Sequence, residues 1–303
     1  MIRSVLVEQI RKLKQERRAV LLVHNYQHSE VQDLADYLGD SLDLAIRATT
    51  LAEPVIVFCG VHFMAESAKL LCPSKTVLLP EHTAGCPLAD CATGTQVREY
   101  REKYPDAVFV AYINTSAEVK AECDICVTSA NALTILAKFP DKRIVYLPDK
   151  NLAAYAALKL KREIIVWPGQ CYVHDSLITL KKIQSLRSQH PNAKLLAHPE
   201  APLSVLSMAD VVTGTSGMIK WVSESDDMEF IIATEVGLVS RMRKELPDRL
   251  FYEVPGAICS SMKLTTLHSI RDALQNMKNV ITIPPAIAER AQKPLRRMLE
   301  MTK

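Results

Sequence analysis

Three stretches of this chain echo one another at a spacing close to a third of its length, and no other feature limits its fold as much. A shift of 88 residues carries Asp36 to Asp124, and a further 86 carries it to Asp210. The same steps carry Ser41 to Ser129 and Thr215, His24 to Tyr112 and His198, and Gly60 to Pro148 and Thr234. With a slip of one, Pro80 meets Pro168 and Pro255; with slips of a few residues, Cys86 meets Cys171 and Cys259. Generic strand spacing accounts for aligned apolar runs. It does not account for aligned Asp, hydroxyl and Cys columns, so the chain reads as a triplication.

The hydrophobic pattern says what is repeated. Short apolar runs at 20–23, 55–58, 77–79, 108–111, 144–147, 164–166, 195–197 and 230–233 have the form of buried parallel strands. Between them lie amphipathic segments of helical period at 63–71, 97–103, 132–138, 177–188 and 239–246. The fold class is therefore α/β: three pseudo-threefold-related α/β units, with parallel sheets, around a shared centre. The units are expected at 18–104, 105–190 and 191–279. A helix over 1–17 precedes them, and a tail over 280–303, with a helix at 286–301, follows. No Gly/Ser-rich linker separates them, so equivalent loops should meet on one axis.

Several function classes fall away. With 37 basic against 34 acidic residues the net charge is +3, which gives no case for a nucleic-acid or anionic-membrane partner. The longest apolar runs, such as 152–158, fall short of the ~20 residues a membrane span needs. The charged, amphipathic start is unlike a signal peptide, and the expectation is a soluble cytoplasmic protein. Nine glycines make neither a GxGxxG nor a GxxxxGK[ST] cradle.

Eight cysteines remain to be explained, at 59, 72, 86, 91, 123, 126, 171 and 259. Cys86, Cys171 and Cys259 each follow a strand and a proline, and each precedes a helical-looking segment. One thiol per unit makes a trigonal set of soft ligands, suited to an iron–sulfur cluster or to zinc. Buried structural thiols are the competing reading. A [4Fe–4S] cluster on three cysteines keeps one iron open as a Lewis acid; a catalytic zinc also takes three protein ligands. Cys123 and Cys126 form a CxxC, but Cys126 sits in an apolar run and reads as core. Cys59 and Cys72 end apolar segments. Cys91 has no counterpart in the other units.

Polar residues recur where strands end. His24 with Tyr26, Tyr112 with Asn114, and His198 with Glu200 are i, i+2 pairs that point the same way in extended backbone. Each should project from the carboxyl end of its strand, where open α/β sheets bind ligands. Ser41, Ser129 and Thr215 each stand where a helix is expected to begin. A hydroxyl there caps the helix, and a helix N-terminus also attracts anions. Together with His24 and His198 they should supply donors and positive potential to a small substrate with several carboxylate or phosphate groups. Asp36, Asp124 and Asp210 read as structural.

At these residues the chain resembles the quinolinate synthase family. The resemblance is carried by Val23-His24-Asn25-Tyr26-Gln27, Gly39-Asp40-Ser41, Tyr112-Ile113-Asn114-Thr115-Ser116, Thr128-Ser129-Ala130-Asn131, Pro148-Asp149-Lys150-Asn151-Leu152, His198-Pro199-Glu200 and Ala233-Thr234-Glu235-Val236-Gly237. It implies three pseudo-threefold-related αβα units around a central active site, and a [4Fe–4S] cluster on Cys86, Cys171 and Cys259. It implies condensation of iminosuccinate with dihydroxyacetone phosphate to quinolinate in NAD biosynthesis, releasing phosphate and water. The substrate-binding positions it implies are His24, Ser41, Tyr112, Asn114, Ser129, His198, Glu200 and Thr215, with Ser216 as a neighbouring contact. The catalytic positions are Tyr26, Tyr112, His198 and Glu200. The aspartate oxidase or dehydrogenase that supplies the imine is the implied transient partner. Beside it stand a three-thiolate zinc hydrolase, an aconitase-like hydro-lyase and a non-catalytic iron–sulfur scaffold.

Overall fold

A computed structural model describes residues 2–302; Met1 of the expected N-terminal helix and Lys303 of the expected tail lie outside the described residues. Three four-stranded sheets form, one from each third of the chain. The first takes β1 (Ala19–His24), β2 (Tyr37–Gly39), β3 (Val55–Cys59) and β4 (Thr76–Leu78) in the order β2-β1-β3-β4. The second takes β5 (Val108–Tyr112), β6 (Ile125–Val127), β7 (Ile144–Leu147) and β8 (Ile165–Val166) in the order β6-β5-β7-β8. The third takes β9 (Lys194–Ala197), β10 (Val211–Val212), β11 (Glu229–Ala233) and β12 (Leu250–Glu253) in the order β10-β9-β11-β12. All pairings within these sheets are parallel. Strands such as β1, β3 and β7 are buried along their whole length, because helices cover both faces of a parallel sheet. β2, β6, β10 and β12 have no counterpart among the expected strands. They span only two to four residues, too few to show a period.

The aspartate column ties each sheet together in the same way three times. The backbone N–H of Leu21 donates to Asp36 at 2.7 Å, that of Phe109 to Asp124 at 2.7 Å, and that of Leu195 to Asp210 at 2.7 Å. Each aspartate also returns its own N–H to the carbonyl of the same residue. A cation from the preceding helix completes each set: Lys14 at 2.7 Å from helix Ile2–Arg17, Arg101 at 3.0 Å from Gly94–Lys103, and Arg187 at 2.6 Å from Leu180–Gln189. The N-terminal helix thus does for the first sheet what an internal helix does for the other two.

Threonine caps follow the same rule. Thr93, Thr179 and Thr266 accept from the backbone N–H three residues on, and open helices Gly94–Lys103, Leu180–Gln189 and Leu267–Asn276. The last of these packs on Ile2–Arg17, where Arg17 donates to the carbonyls of Leu274 and Gln275 and joins the two ends of the array. The C-terminal helix Pro285–Thr302 lies on helix Ala117–Ala121 and β6, held by Arg290 to Glu122 and Asn131 to Thr302. No described helix is long and apolar enough to cross a membrane.

Candidate functional site

The twelve residues singled out from sequence line one cavity at the meeting of the three units, with about 760 Å³ of empty space including its mouth. They are His24, Tyr26, Ser41, Cys86, Tyr112, Asn114, Ser129, Cys171, His198, Glu200, Thr215 and Cys259. β1 and β5 end on His24 and Tyr112, and His198 follows β9 directly, so the parallel strands deliver these side chains at their carboxyl ends.

Two imidazoles are set alike. The N–H of Tyr26 donates to Nδ1 of His24 at 3.1 Å, and that of Glu200 to Nδ1 of His198 at 3.4 Å. Nδ1 is therefore the acceptor in each ring, and Nε2 carries the proton. Burial, with the Lys263 ammonium nearby, lowers His24 to about 3; burial, with His174 nearby, lowers His198 to about 3. These rings supply N–H donors without charge, so the positive potential expected of them is absent. Positive potential is left to the helix N-termini that open on the cavity.

Glu200 is the anionic centre. Burial alone would raise its carboxyl, but His174 beside it, with hydrogen bonds from His174 and Tyr112, outweighs that and holds it below the usual carboxylate range. Tyr112 donates its hydroxyl to Oε1 of Glu200. Nδ1 of His174 lies 2.9 Å from Oε2, and Nε2 of His174 lies 2.9 Å from the Thr234 hydroxyl. That hydroxyl is 2.7 Å from the Tyr26 hydroxyl. A carboxylate only accepts, so Nδ1–H of His174 donates to it and Nε2 accepts from Thr234, which in turn accepts from Tyr26. The chain from Tyr26 through Thr234 and His174 to Glu200 has one polarity throughout. Burial first, and the Glu200 charge second, push both Tyr26 and Tyr112 well up, so both are protonated donors.

The hydroxyl column differs from expectation in how it is held. Ser41 opens helix Ser41–Thr50, but the cap is Asp40, which accepts from the N–H groups of Leu42 and Asp43. Thr215 opens Thr215–Glu224 behind Gly214, which has no side chain to cap with. Ser129 does not begin a helix; it lies in a turn before Ala132–Leu136. None of the three hydroxyls is used as the cap, which leaves them for the cavity. A Cβ at Gly214 would stand 2.8 Å from Oγ of Ser129, so a larger residue there would displace the Ser129 hydroxyl. Ser216 points elsewhere: its hydroxyl bonds the Asp43 carboxylate.

Each cavity cysteine precedes a short helical turn: Ala89–Cys91, Val173–Leu177 and Met262–Leu264. The turn directs backbone N–H groups at the sulfur, from Ala89 and Leu88 to Cys86, from His174 to Cys171, and from Met262 and Ser261 to Cys259. Burial raises all three thiols, Cys86 to about 12, with the charges of Cys259 and Glu200 adding to it. Thiols so placed give up their protons only to a bound cation, and N–H groups aimed at sulfur suit an iron–sulfur ligand set. The donor set therefore fits a cluster held by three thiolates. The other cysteines are differently occupied. Cys59, Cys72, Cys123 and Cys126 are buried in the core, and exposed Cys91, which does not line the cavity, donates to the Pro87 carbonyl.

Sequence reasoning passed over His174 and Thr234. His174 stands three residues after Cys171, and its ring stacks on His198 with centroids 4.5 Å apart. The Cys-x-x-His spacing was the available signal, but no repeat column marks it. Thr234 entered as a residue closing a strand and within the motif Ala233-Thr234-Glu235-Val236-Gly237, without a role of its own. Cys171, His174 and Glu200 also bring ligand atoms within 4.8 Å of one another, a grouping able to hold a metal ion. Glu235 and Lys263 were also missed. They pair at 2.9 Å, and Glu235 accepts the N–H of Cys259 while Lys263 donates to the Tyr26 carbonyl at 2.5 Å.

Comparison with known proteins bears on this arrangement. The family model described as Quinolinate synthetase A protein matches residues 8–300. The chain is 47% identical over 303 residues to a quinolinate synthase of Desulforudis audaxviator, covering 99% of both chains. It is 46% identical to quinolinate synthase 2 of Methanosarcina acetivorans, over 98% of this chain and 96% of that one. It is 46% identical to a quinolinate synthase of Caldicellulosiruptor bescii, over 98% and 99%.

Proposed function

The chain belongs to the quinolinate synthase family, and from that premise we propose that it condenses iminosuccinate with dihydroxyacetone phosphate, releasing phosphate and water, to give quinolinate for NAD biosynthesis. The observation that carries this reading is the convergence of three thiols, two neutral imidazoles, three hydroxyls and one buried carboxylate on a single cavity.

Cys86, Cys171 and Cys259 would hold a [4Fe–4S] cluster. When bound, such a cluster supplies a Lewis-acidic iron that polarises substrate oxygen and eases the departure of water. The protein's own groups do the rest. Ser41, Ser129 and Thr215, with Nε2–H of His24 and His198 and the amide of Asn114, offer neutral donors to carboxylate and phosphate oxygens. Neutral donors suit a substrate that brings its own charge into a dry site. Holding two reactants in register is worth ~7–11 kcal/mol in favourable cases.

Proton movement runs at Tyr26. Its hydroxyl meets the cavity at one face and the Thr234–His174–Glu200 chain at the other, so a proton taken at Tyr26 can pass to His174 while Glu200 stabilises the imidazolium. Tyr112, bonded to Glu200, fixes that carboxylate and acts as a second acid. An imine hydrolyses in water, so the oxidase or dehydrogenase that makes it is the expected partner. All eight cysteines are free, which suits a reducing cytoplasm.

Anaerobic purification with iron and sulfide counts, then a quinolinate assay, tests the proposal; iron and sulfide near four each with quinolinate formed supports it, and neither product nor cluster ends it. The Cys171–His174–Glu200 grouping favours one other reading, a single divalent ion. Both nitrogens of His174 are already bonded to Glu200 and Thr234, which argues against it, and zinc without iron in the purified protein would favour it.

A further inference from the structure

Among the described residues, Thr215 is the one hydroxyl of its column whose oxygen is already committed, and the group that commits it does not line the cavity. Nδ2 of Asn25 donates to Oγ1 of Thr215 at 2.9 Å, across the contact between the first and third units. Oδ1 of Asn25 in turn accepts from Nη1 of Arg241 at 2.6 Å. Arg241 lies on helix Val236–Glu245 and is anchored by Glu245 at 2.8 Å and by the Leu38 carbonyl at 3.3 Å. Asn25 is fully buried, and its backbone is fixed at both ends, by the Gly39 carbonyl and by Gln32. The equivalent positions, Ile113 and Pro199, cannot make such a link.

The polarity of this chain is forced. A guanidinium has only donors, so the amide oxygen of Asn25 must face Arg241 and its nitrogen must face Thr215. An amide N–H only donates, so the Thr215 oxygen must accept. Its own proton then has to point elsewhere, and Thr215 lines the cavity. We propose that Arg241 and Asn25 are positioning residues that lock the Thr215 hydroxyl as a donor to an anionic oxygen of the substrate, either a carboxylate of the four-carbon imine or the phosphate of the triose. This rests on the reading of Thr215 as a substrate contact, and it assigns roles to two residues that do not line the cavity.

The decisive variant is Asn25→Asp. It keeps the shape and the Arg241 partner but sets an acceptor against Thr215, so the hydroxyl turns inward and the donor is lost. In cluster-loaded enzyme of normal iron content, with each substrate varied in turn, the KM of one substrate should rise about tenfold to a hundredfold, the range for a lost hydrogen bond to a charged group, with a smaller effect on kcat. The substrate affected tells carboxylate from phosphate. Arg241→Met lets the amide turn over and should raise the same KM by about threefold to tenfold, whereas Arg241→Lys, again a donor-only cation, should restore it. The double variant Asn25→Asp with Thr215→Val should have the KM of Thr215→Val alone. If Thr215→Val raises KM while Asn25→Asp, folded and loaded, does not, the inference is overturned and the substrate contact stands. If Thr215→Val leaves both KM values unchanged, the contact itself falls and the inference with it. Should Asn25→Asp fail to fold, the contrast between Arg241→Met and Arg241→Lys decides: equal KM values overturn the proposal.

Discussion

The three aspartates and the three strand-end pairs occupy equivalent places in the three units, yet their histories differ. Asp36, Asp124 and Asp210 are identical in residue, in the 2.7 Å bond each accepts and in having a cation from the preceding helix. His24 with Tyr26 and His198 with Glu200 share a backbone N–H to Nδ1 bond, which Tyr112 with Asn114 lacks, and beyond that the three pairs differ. The first ends a hydroxyl chain, the second donates to a carboxylate, and the third supplies that carboxylate. A requirement that is the same in every sheet, an unpaired strand N–H to satisfy, keeps the same residue. A cavity on the pseudo-threefold axis receives one contribution from each unit, and an asymmetric reaction needs three different ones.

That contrast can be broken by experiment. The largest effect should come from the third threefold set, the cavity cysteines. Cys171→Ala is expected to abolish quinolinate formation and lower bound iron; a loaded, active variant would remove the cysteines from the functional class. Glu200→Gln should come next. It keeps the shape but removes the charge behind His174, and kcat should fall by about 10²–10⁴, the span of a lost general base. A kcat within about twofold of the parent would return Glu200 to the structural class.

The strand-end histidines carry a stability signature as well. Their folded pKa values near 3 lie below the ordinary 6.5. The unfolded chain therefore binds a proton first as pH falls, and stability is full above about 6.5 and lost below it. Each ring should account for up to about 1.4 kcal/mol per pH unit between 6.5 and 3. Denaturant titrations of His24→Gln and His198→Gln should show a flatter decline than the parent; identical slopes would contradict the neutral assignment.

For the aspartates the expectation is reversed. Asp124→Asn leaves the Phe109 N–H with a poorer acceptor and Arg101 without its charge partner, at a cost of about 1–3 kcal/mol. The melting midpoint should drop while kcat and iron content stay at parental values. The smallest effect belongs to Cys91→Ser, which should change neither iron count nor rate, since Cys91 is exposed and outside the cavity; loss of iron would make it a ligand.

Much of this was legible in the chain alone. The repeat offsets located the strand ends, the aspartates and the three cysteines, because a residue that serves a backbone position recurs whenever that position does. Apolar runs of four or five residues marked the central strands, since a parallel sheet covered on both faces admits little else. The roles of His174 and Thr234 were not legible, for His174 has no counterpart in a repeat column and the column of Thr234 holds Gly60 and Pro148, which carry no hydroxyl. Nor were β2, β10 and β12, whose pairing is set by neighbours and not by their own few residues.

The hydroxyls show where the boundary lies. Sequence alone determined that Ser41, Ser129 and Thr215 occupy equivalent turns near helix starts, because local backbone geometry is written locally. Only the tertiary structure decided that two buried histidines are neutral, and that Asn25 reaches from another unit to orient Thr215. Charge and hydrogen-bond polarity depend on what surrounds a group once water has been excluded, and residues 190 positions apart supply those surroundings.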